Sequence, residues 1–445
     1  AGAGGAAAGG AAVDGAPAGA AVFDPPEQPA STMNEARPRR NIRPSCHGDA
    51  RAGARSLCDA CDASAANLVT STPHLWYSYL MDFGLDDEQQ MIVQTIRRFA
   101  DRDLRGWAPD ADRAGAPPAS LYKAGSELGF FLDAVPAAHG GALDGAYSHT
   151  VRALRGFELG RGCAGMAALL ETNVEPALAV ATWGTAAAKQ SLFDALARPG
   201  GGVAAFFHDS RGNLEIDDRG DLRVSGKLGP IPAFGHATHL LVAARDALFV
   251  MPALDGAGRK LITPSGWRAA QWGTATLDAH RVPAELVLAR GADARAAITD
   301  VLSWARTSLA ARAAGVASAA MEYATAYARE RVQFGQPIGS FESLIRLRDD
   351  ALTGASSARL MALYAAWALD TRAPDAADAA SRARVHAGDV VARATVDAVQ
   401  IFGGYGFVND YPVEKLMRDA RAFEALHGDE RLGRVLAAKA EWAKA

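Results

Sequence analysis

The chain has 445 residues, with 46 Lys and Arg against 50 Asp and Glu and a formal net charge of −4. That balance leaves no broad basic surface for nucleic acid, and no stretch approaches the roughly 18 strongly apolar residues that a membrane-spanning helix needs. Four Cys exclude a disulfide scaffold and fit a reducing, cytoplasmic compartment.

Residues 1–80 are Gly-, Ala- and Pro-rich, then carry six Arg between Arg37 and Arg55. They offer too little apolar side-chain area to offset the entropy of ordering. A disordered extension, or an artefact of an upstream start, is expected there; Asp14, Asp24, Glu27 and Glu35 argue against a transit peptide. Cys46, His47, Cys58 and Cys61 carry zinc-binding chemistry, but there is no second Cys pair and no hydrophobic pattern around them, so no metal site is expected.

From Met81 the pattern becomes helical. Asp86 and Gln89 make a capping-box start, followed by Ile92, Ile96 and Phe99 at helical spacing. Further helices are expected at 121–131, 147–160 and 174–198, the last interrupted near Pro176, giving an α domain over 81–202. Alternating residues around Asp218-Arg219-Gly220-Asp221 predict a hairpin. With short strand candidates beyond it, they predict a β domain over 203–292. Long helices are expected near 293–330, 341–369, 375–402 and 411–443, a C-terminal bundle over 293–445. Helices, then strands, then helices make an α+β chain with segregated parts.

Two C-terminal stretches carry far more information. Arg331-Val332-Gln333-Phe334-Gly335-Gln336-Pro337-Ile338 is one. The other runs Gln400-Ile401-Phe402-Gly403-Gly404-Tyr405-Gly406-Phe407 into Tyr411-Pro412-Val413-Glu414-Lys415-Leu416-Met417-Arg418-Asp419-Ala420. Together they resemble the acyl-CoA dehydrogenase family, and the likeness extends over 81–445. The resemblance implies an N-terminal α domain, a central β domain and a C-terminal four-helix bundle. It also implies FAD as cofactor and α,β-desaturation of an acyl-CoA or acyl-carrier-protein thioester, with an electron-transfer flavoprotein as a candidate acceptor. In that family a base removes the α-proton while the flavin accepts the β-hydrogen as hydride. The resemblance further implies that Arg331, Phe334, Gln400, Gly403 and Gly404 contact the flavin, Arg331 and the Gln400 group across a subunit interface. A homotetramer, or a heteromer with a related subunit, follows from it.

The sequence departs from the family where the chemistry is done. His427 stands in register with the usual catalytic Glu, and Asp429 with a flavin-contacting Thr. Ala305 occupies the alternative base position, just before Arg306, which matches a residue lining the substrate site. In the β domain the aromatic that packs on the flavin is replaced by Gly229, and Ser210 is the remnant of the family's hydroxyls. Three explanations stand open: His427 as a substitute base, since an unperturbed imidazole is half neutral near pH 6.5; Glu424, which lies almost one helical turn earlier; or no base in this chain. Three functions therefore compete: a flavin-dependent dehydrogenase using His427; a non-catalytic or half-site subunit of a heteromer; and a flavin monooxygenase- or oxidase-like relative. His208, His236 and His239 lack ligand spacing, Trp183, Trp267 and Trp272 read as core, and Cys163 has no partnering His.

Overall fold

The computed structural model describes residues 84–198, 201–217, 221–252, 258–427, 434, 435 and 438. The expectations for residues 1–80, the Cys46–Cys61 cluster and Asp429 lie outside the described residues. The expected α+β class is observed. Helices α1 (Asp87–Phe99), α2 (Arg105–Ala114), α3 (Ala119–Glu127), α4 (His149–Gly162), α5 (Ala164–Leu170), α6 (Val174–Trp183) and α7 (Ala186–Leu196) come first. The capping box forms as expected: Asp86 Oδ1 accepts from Gln89 N at 2.8 Å, and the Gln89 side chain accepts from Asp86 N at 3.4 Å. Pro176 does not interrupt its helix. It sits in the first turn of α6, where its missing N–H has no partner to lose, and the chain breaks instead at Leu170 and Trp183.

Strands β1 (Val203–His208), β4 (Ala237–Ala244), β5 (Ala247–Pro252) and β8 (Val287–Arg290) form one four-stranded sheet in the order β1-β4-β5-β8. Strands β2 (Leu214–Asp217), β3 (Leu222–Ile231), β7 (Gly273–Val282) and β6 (Arg259–Leu261) form another, ordered β2-β3-β7-β6. β2 and β3 pair antiparallel with Asp217 opposite Arg223; the turn tip 218–220 is outside the described residues. The loop from β1 to β2 is tied by Asp209, whose carboxylate accepts from the backbone N–H of Asn213 and Leu214, each at 2.8 Å.

The last helices are α8 (Gly291–Glu330), α9 (Glu342–Asp370), α10 (Ala376–Phe402) and α11 (Val413–Phe423), with a short hairpin of β9 (Val332–Gln333) and β10 (Gln336–Pro337) after α8. α11 ends at Phe423, well short of the expected 443. The 40-residue α8 is buried on nearly every face and packs on α4, α9 and α10, so its sequence is Ala-rich all round rather than amphipathic. Its closest approach to α4 is made by glycines. A Cβ on Gly160 would lie 2.3 Å from the Arg312 carbonyl oxygen, and one on Gly315 would lie 2.1 Å from that of Phe157. Trp267 and Trp272 are core residues as expected, while Trp183 is half-buried and stacks on Trp304. Among the described residues no helix is long and apolar enough to cross a membrane, and no cluster of His, Cys, Asp and Glu could hold a metal ion.

Candidate active site

The Arg418-Asp419 pair of the C-terminal motif anchors α11. Asp419 is fully buried and accepts from Trp267 N at 2.7 Å and from Lys415 Nζ at 2.5 Å. Arg418 forks onto Asp112 and Glu414 and also donates to the Ser265 carbonyl at 2.6 Å. Phe423, fully buried, packs edge-on against Trp267, and the Arg384 guanidinium donates to its carbonyl. These ties fix the direction in which residues 424–427 leave the helix.

His427 is delivered by that turn onto β1. Its φ of 55° is in the left-handed region, which costs a non-glycine residue about 1 kcal/mol or more. The residue is half-buried, but its ring lies flat on Phe206, centroids 4.7 Å apart and planes 20° from parallel. Burial pushes the imidazole well below its ordinary pKa, and the positive charges of Arg306, Arg312 and Arg384 and the neighbouring His208 add to the effect. His208 is likewise pushed down to about 4, by burial and then by Arg306. Both rings are held neutral at pH 7. A base whose protonated form is this disfavoured is poorly matched to abstracting a proton as weakly acidic as a thioester's. Glu424 does not reach in; it is exposed and pairs with Arg421 at 2.6 Å. Ala305 is buried core.

Arg306 is 7 % exposed and donates to the His427 carbonyl at 3.4 Å and to Ser381 Oγ at 3.3 Å. Two clefts meet at loop 208–212. One, of about 120 Å³, lies beneath His427, Phe206, Gly229 and Leu426. The other, of about 660 Å³, runs between Arg211 and Arg245 and a wall of Thr299, Ser303, Arg306 and Ser381. Exposed Ser210 lines both.

The remaining expected residues lie on an open surface at the far end of α8 and α10. Arg331 caps α8 with its guanidinium 5.6 Å over the Tyr405 ring. Phe334, at the tip of the β9–β10 hairpin, is 93 % exposed, and Gln400 is exposed as well. Gly403 takes φ 58°, and a Cβ on either Gly403 or Gly404 would meet nothing. The expected site thus falls into two groups, His427 with Arg306 and Ser210, and Arg331 with Phe334, Gln400, Gly403 and Gly404.

The two groups differ in how they suit a flavin dinucleotide. The open surface offers an exposed guanidinium and bare backbone for a diphosphate and adenine. The β-domain wall does not fit the ring system. Gly229 has φ 106° and a Cβ there would lie 2.8 Å from the Gly273 carbonyl oxygen, so this backbone admits no aromatic. The adjoining cleft of about 120 Å³ is well below the roughly 300 Å³ at which small-molecule sites begin. Sequence reasoning missed Phe206, Arg312 and Arg384. Arg384 had a signal: it interrupts the Ala stripe Ala380, Ala383 and Ala387 on the buried face of α10.

Comparison with known proteins agrees with this architecture. Residues 86–199 match the acyl-CoA dehydrogenase N-terminal domain and 294–440 the acyl-CoA dehydrogenase C-terminal domain. A probable acyl-CoA dehydrogenase of Bacillus subtilis is 30 % identical over 386 residues, covering 81 % of this chain and 99 % of the relative. An acryloyl-CoA reductase (NADH) of Anaerotignum propionicum is 26 % identical over 384 residues, 81 % of this chain and 95 % of that one. The solved butyryl-CoA dehydrogenase of Megasphaera elsdenii superposes with a TM-score of 0.72 at 27 % identity, covering 81 % of this chain and all of that one (100 %). The chain belongs to the acyl-CoA dehydrogenase family.

Proposed function

We propose that this chain serves the α,β-desaturation of an acyl thioester as a half-site subunit, lending its C-terminal surface to a flavin held chiefly by a related subunit that carries the catalytic Glu. The observation that carries this reading is the flat stack of His427 on Phe206, which fills the base position with a ring held neutral and leaves only a small cleft beside it. In the pair, Arg331 would meet the diphosphate as a charge-assisted donor, and Gln400, Gly403 and Gly404 would receive the adenine end. The flavin, when bound, supplies the hydride acceptor; this chain's residues bind, orient and exclude water.

The test compares the chain purified alone with the chain co-expressed with such a subunit. The expected result is little flavin absorbance alone, a flavin-bearing complex bleached by an acyl-CoA, and loss of flavin from that complex with Arg331→Ala, while the melting temperature of the flavin-free chain is unchanged by the substitution. An isolated chain that holds stoichiometric FAD and turns over an acyl-CoA would overturn it. A second reading, catalysis by the chain alone with His427 as base, draws on the place of His427 in the lining of the smaller cleft, beside His208 and Ser210. Turnover by the isolated chain that is lost in His427→Ala would establish that reading instead.

A further inference from the structure

The one cysteine among the described residues faces a lysine. Cys163 is the single residue between α4 and α5 and is 1 % exposed. Lys415, in the first turn of α11, donates from Nζ to its Sγ at 3.5 Å, across 252 positions of sequence. The lysine side chain is itself only 13 % exposed and turns a second N–H to Asp419 Oδ2 at 2.5 Å. Asp419 alone answers the ammonium; a thiol is a weak acceptor and adds little. What the contact does supply is an amine and a thiol at a separation from which reacting atoms join, with a carboxylate behind the amine to take its proton.

A route for a small oxidant reaches the same place. A cavity of about 480 Å³ is lined by Gly162, next to the cysteine, and by Lys415 itself. Arg161, Arg268 and Arg418 make its wall cationic, and exposed Asn409 and Asp410 connect it with solvent. A cationic setting with access from solvent separates a reactive cysteine from an inert core one.

We infer that Cys163 and Lys415 close a covalent sulfur–nitrogen bridge, a sulfenamide, when the protein meets hydrogen peroxide. In the first step the peroxide passes one oxygen to the thiol. Cys163 becomes a sulfenic acid, its sulfur oxidised by two electrons, and the peroxide is reduced to water. In the second step Lys415 Nζ attacks that sulfur. The N–S bond forms and the S–O bond breaks; one proton of the ammonium passes to Asp419 Oδ2, and another leaves with the hydroxide as water. A thiol reductant reopens the bridge by attack on the sulfur. The bridge joins the end of α4 to α11, the helix that sets the direction of residues 424–427, so oxidation locks the turn that places His427. Peroxide is the only co-reactant, so the inference stands apart from the half-site reading.

The experiment exposes the full chain to hydrogen peroxide and maps its tryptic peptides by mass spectrometry, before and after dithiothreitol. The Cys163 and Lys415 peptides are expected joined, lighter than their sum by two hydrogens, uncut after Lys415, and separated again by dithiothreitol. Closing so long a loop is expected to raise the melting temperature of the oxidised form by about 5 °C. Lys415→Arg keeps a charge toward Asp419 but presents no amine; there the bridge is absent and Cys163 proceeds to the sulfinic acid. Should that variant not fold, the wild-type peptide map decides by itself. A wild-type Cys163 that stays a thiol, ends as a sulfinic or sulfonic acid, or joins Cys46, Cys58 or Cys61 in a disulfide overturns the inference. So does a sulfur–nitrogen bridge at Cys163 that persists in Lys415→Arg. A bridged form that melts no higher than the reduced one overturns the locking of α11.

Discussion

His208 and His149 make the stability of this protein sensitive to mild acid. Burial and Arg306 push His208 from 6.5 down to about 4. Burial and then Arg152 push His149, which meets Tyr147 edge-on and stacks on Trp304, down to about 3. Both are neutral in the folded state. In the unfolded chain each takes up a proton as pH falls through 6.5, so the unfolded state binds more protons and stability falls with pH. Above pH 6.5 neither residue contributes a pH dependence; below its folded value the loss is complete. At pH 5 linkage gives a loss of about 2 kcal/mol for each. His427, shifted in the same direction, acts in the same sense. The assay is urea unfolding followed by tryptophan fluorescence from pH 8 to pH 5, on the wild type and on His208→Asn. The wild type loses stability steeply below pH 6.5, and the variant loses less by about 2 kcal/mol at pH 5. A variant whose pH profile parallels the wild type would refute the placement of His208 as a buried neutral ring beside Arg306.

Two further substitutions test the architecture that holds the site. Asp419→Ala strands Lys415 without its carboxylate and leaves Trp267 N unanswered. It should cost about 3–5 kcal/mol by chemical denaturation; a loss under about 1 kcal/mol would mean that Asp419 does not anchor α11. Gly315→Leu forces apart the α4–α8 crossing, where even a Cβ lies 2.1 Å from the Phe157 carbonyl oxygen, and should lower stability by at least about 1–3 kcal/mol in a thermal melt. An unchanged melt would place the crossing elsewhere.

The sequence alone determined the elements, their order and the family. Capping residues, helical and alternating apolar spacing, and glycine breaks are local signals, and the Arg331–Ile338 and Gln400–Ala420 stretches are long enough to be specific. It also exposed the departures at Gly229 and His427, because a motif marks its own missing members. The fate of those positions was not legible in it. That Arg384 and Arg312 stand beside His427 depends on α8 and α10 crossing under the end of α11. That His427 lies flat on Phe206 depends on where the Asp419–Trp267 tie releases the chain. An imidazole's proton affinity is set by the charges and the water around it. Those are contributed by residues more than a hundred positions away in the chain, such as Arg306 and Phe206, and only the folded structure brings them within reach.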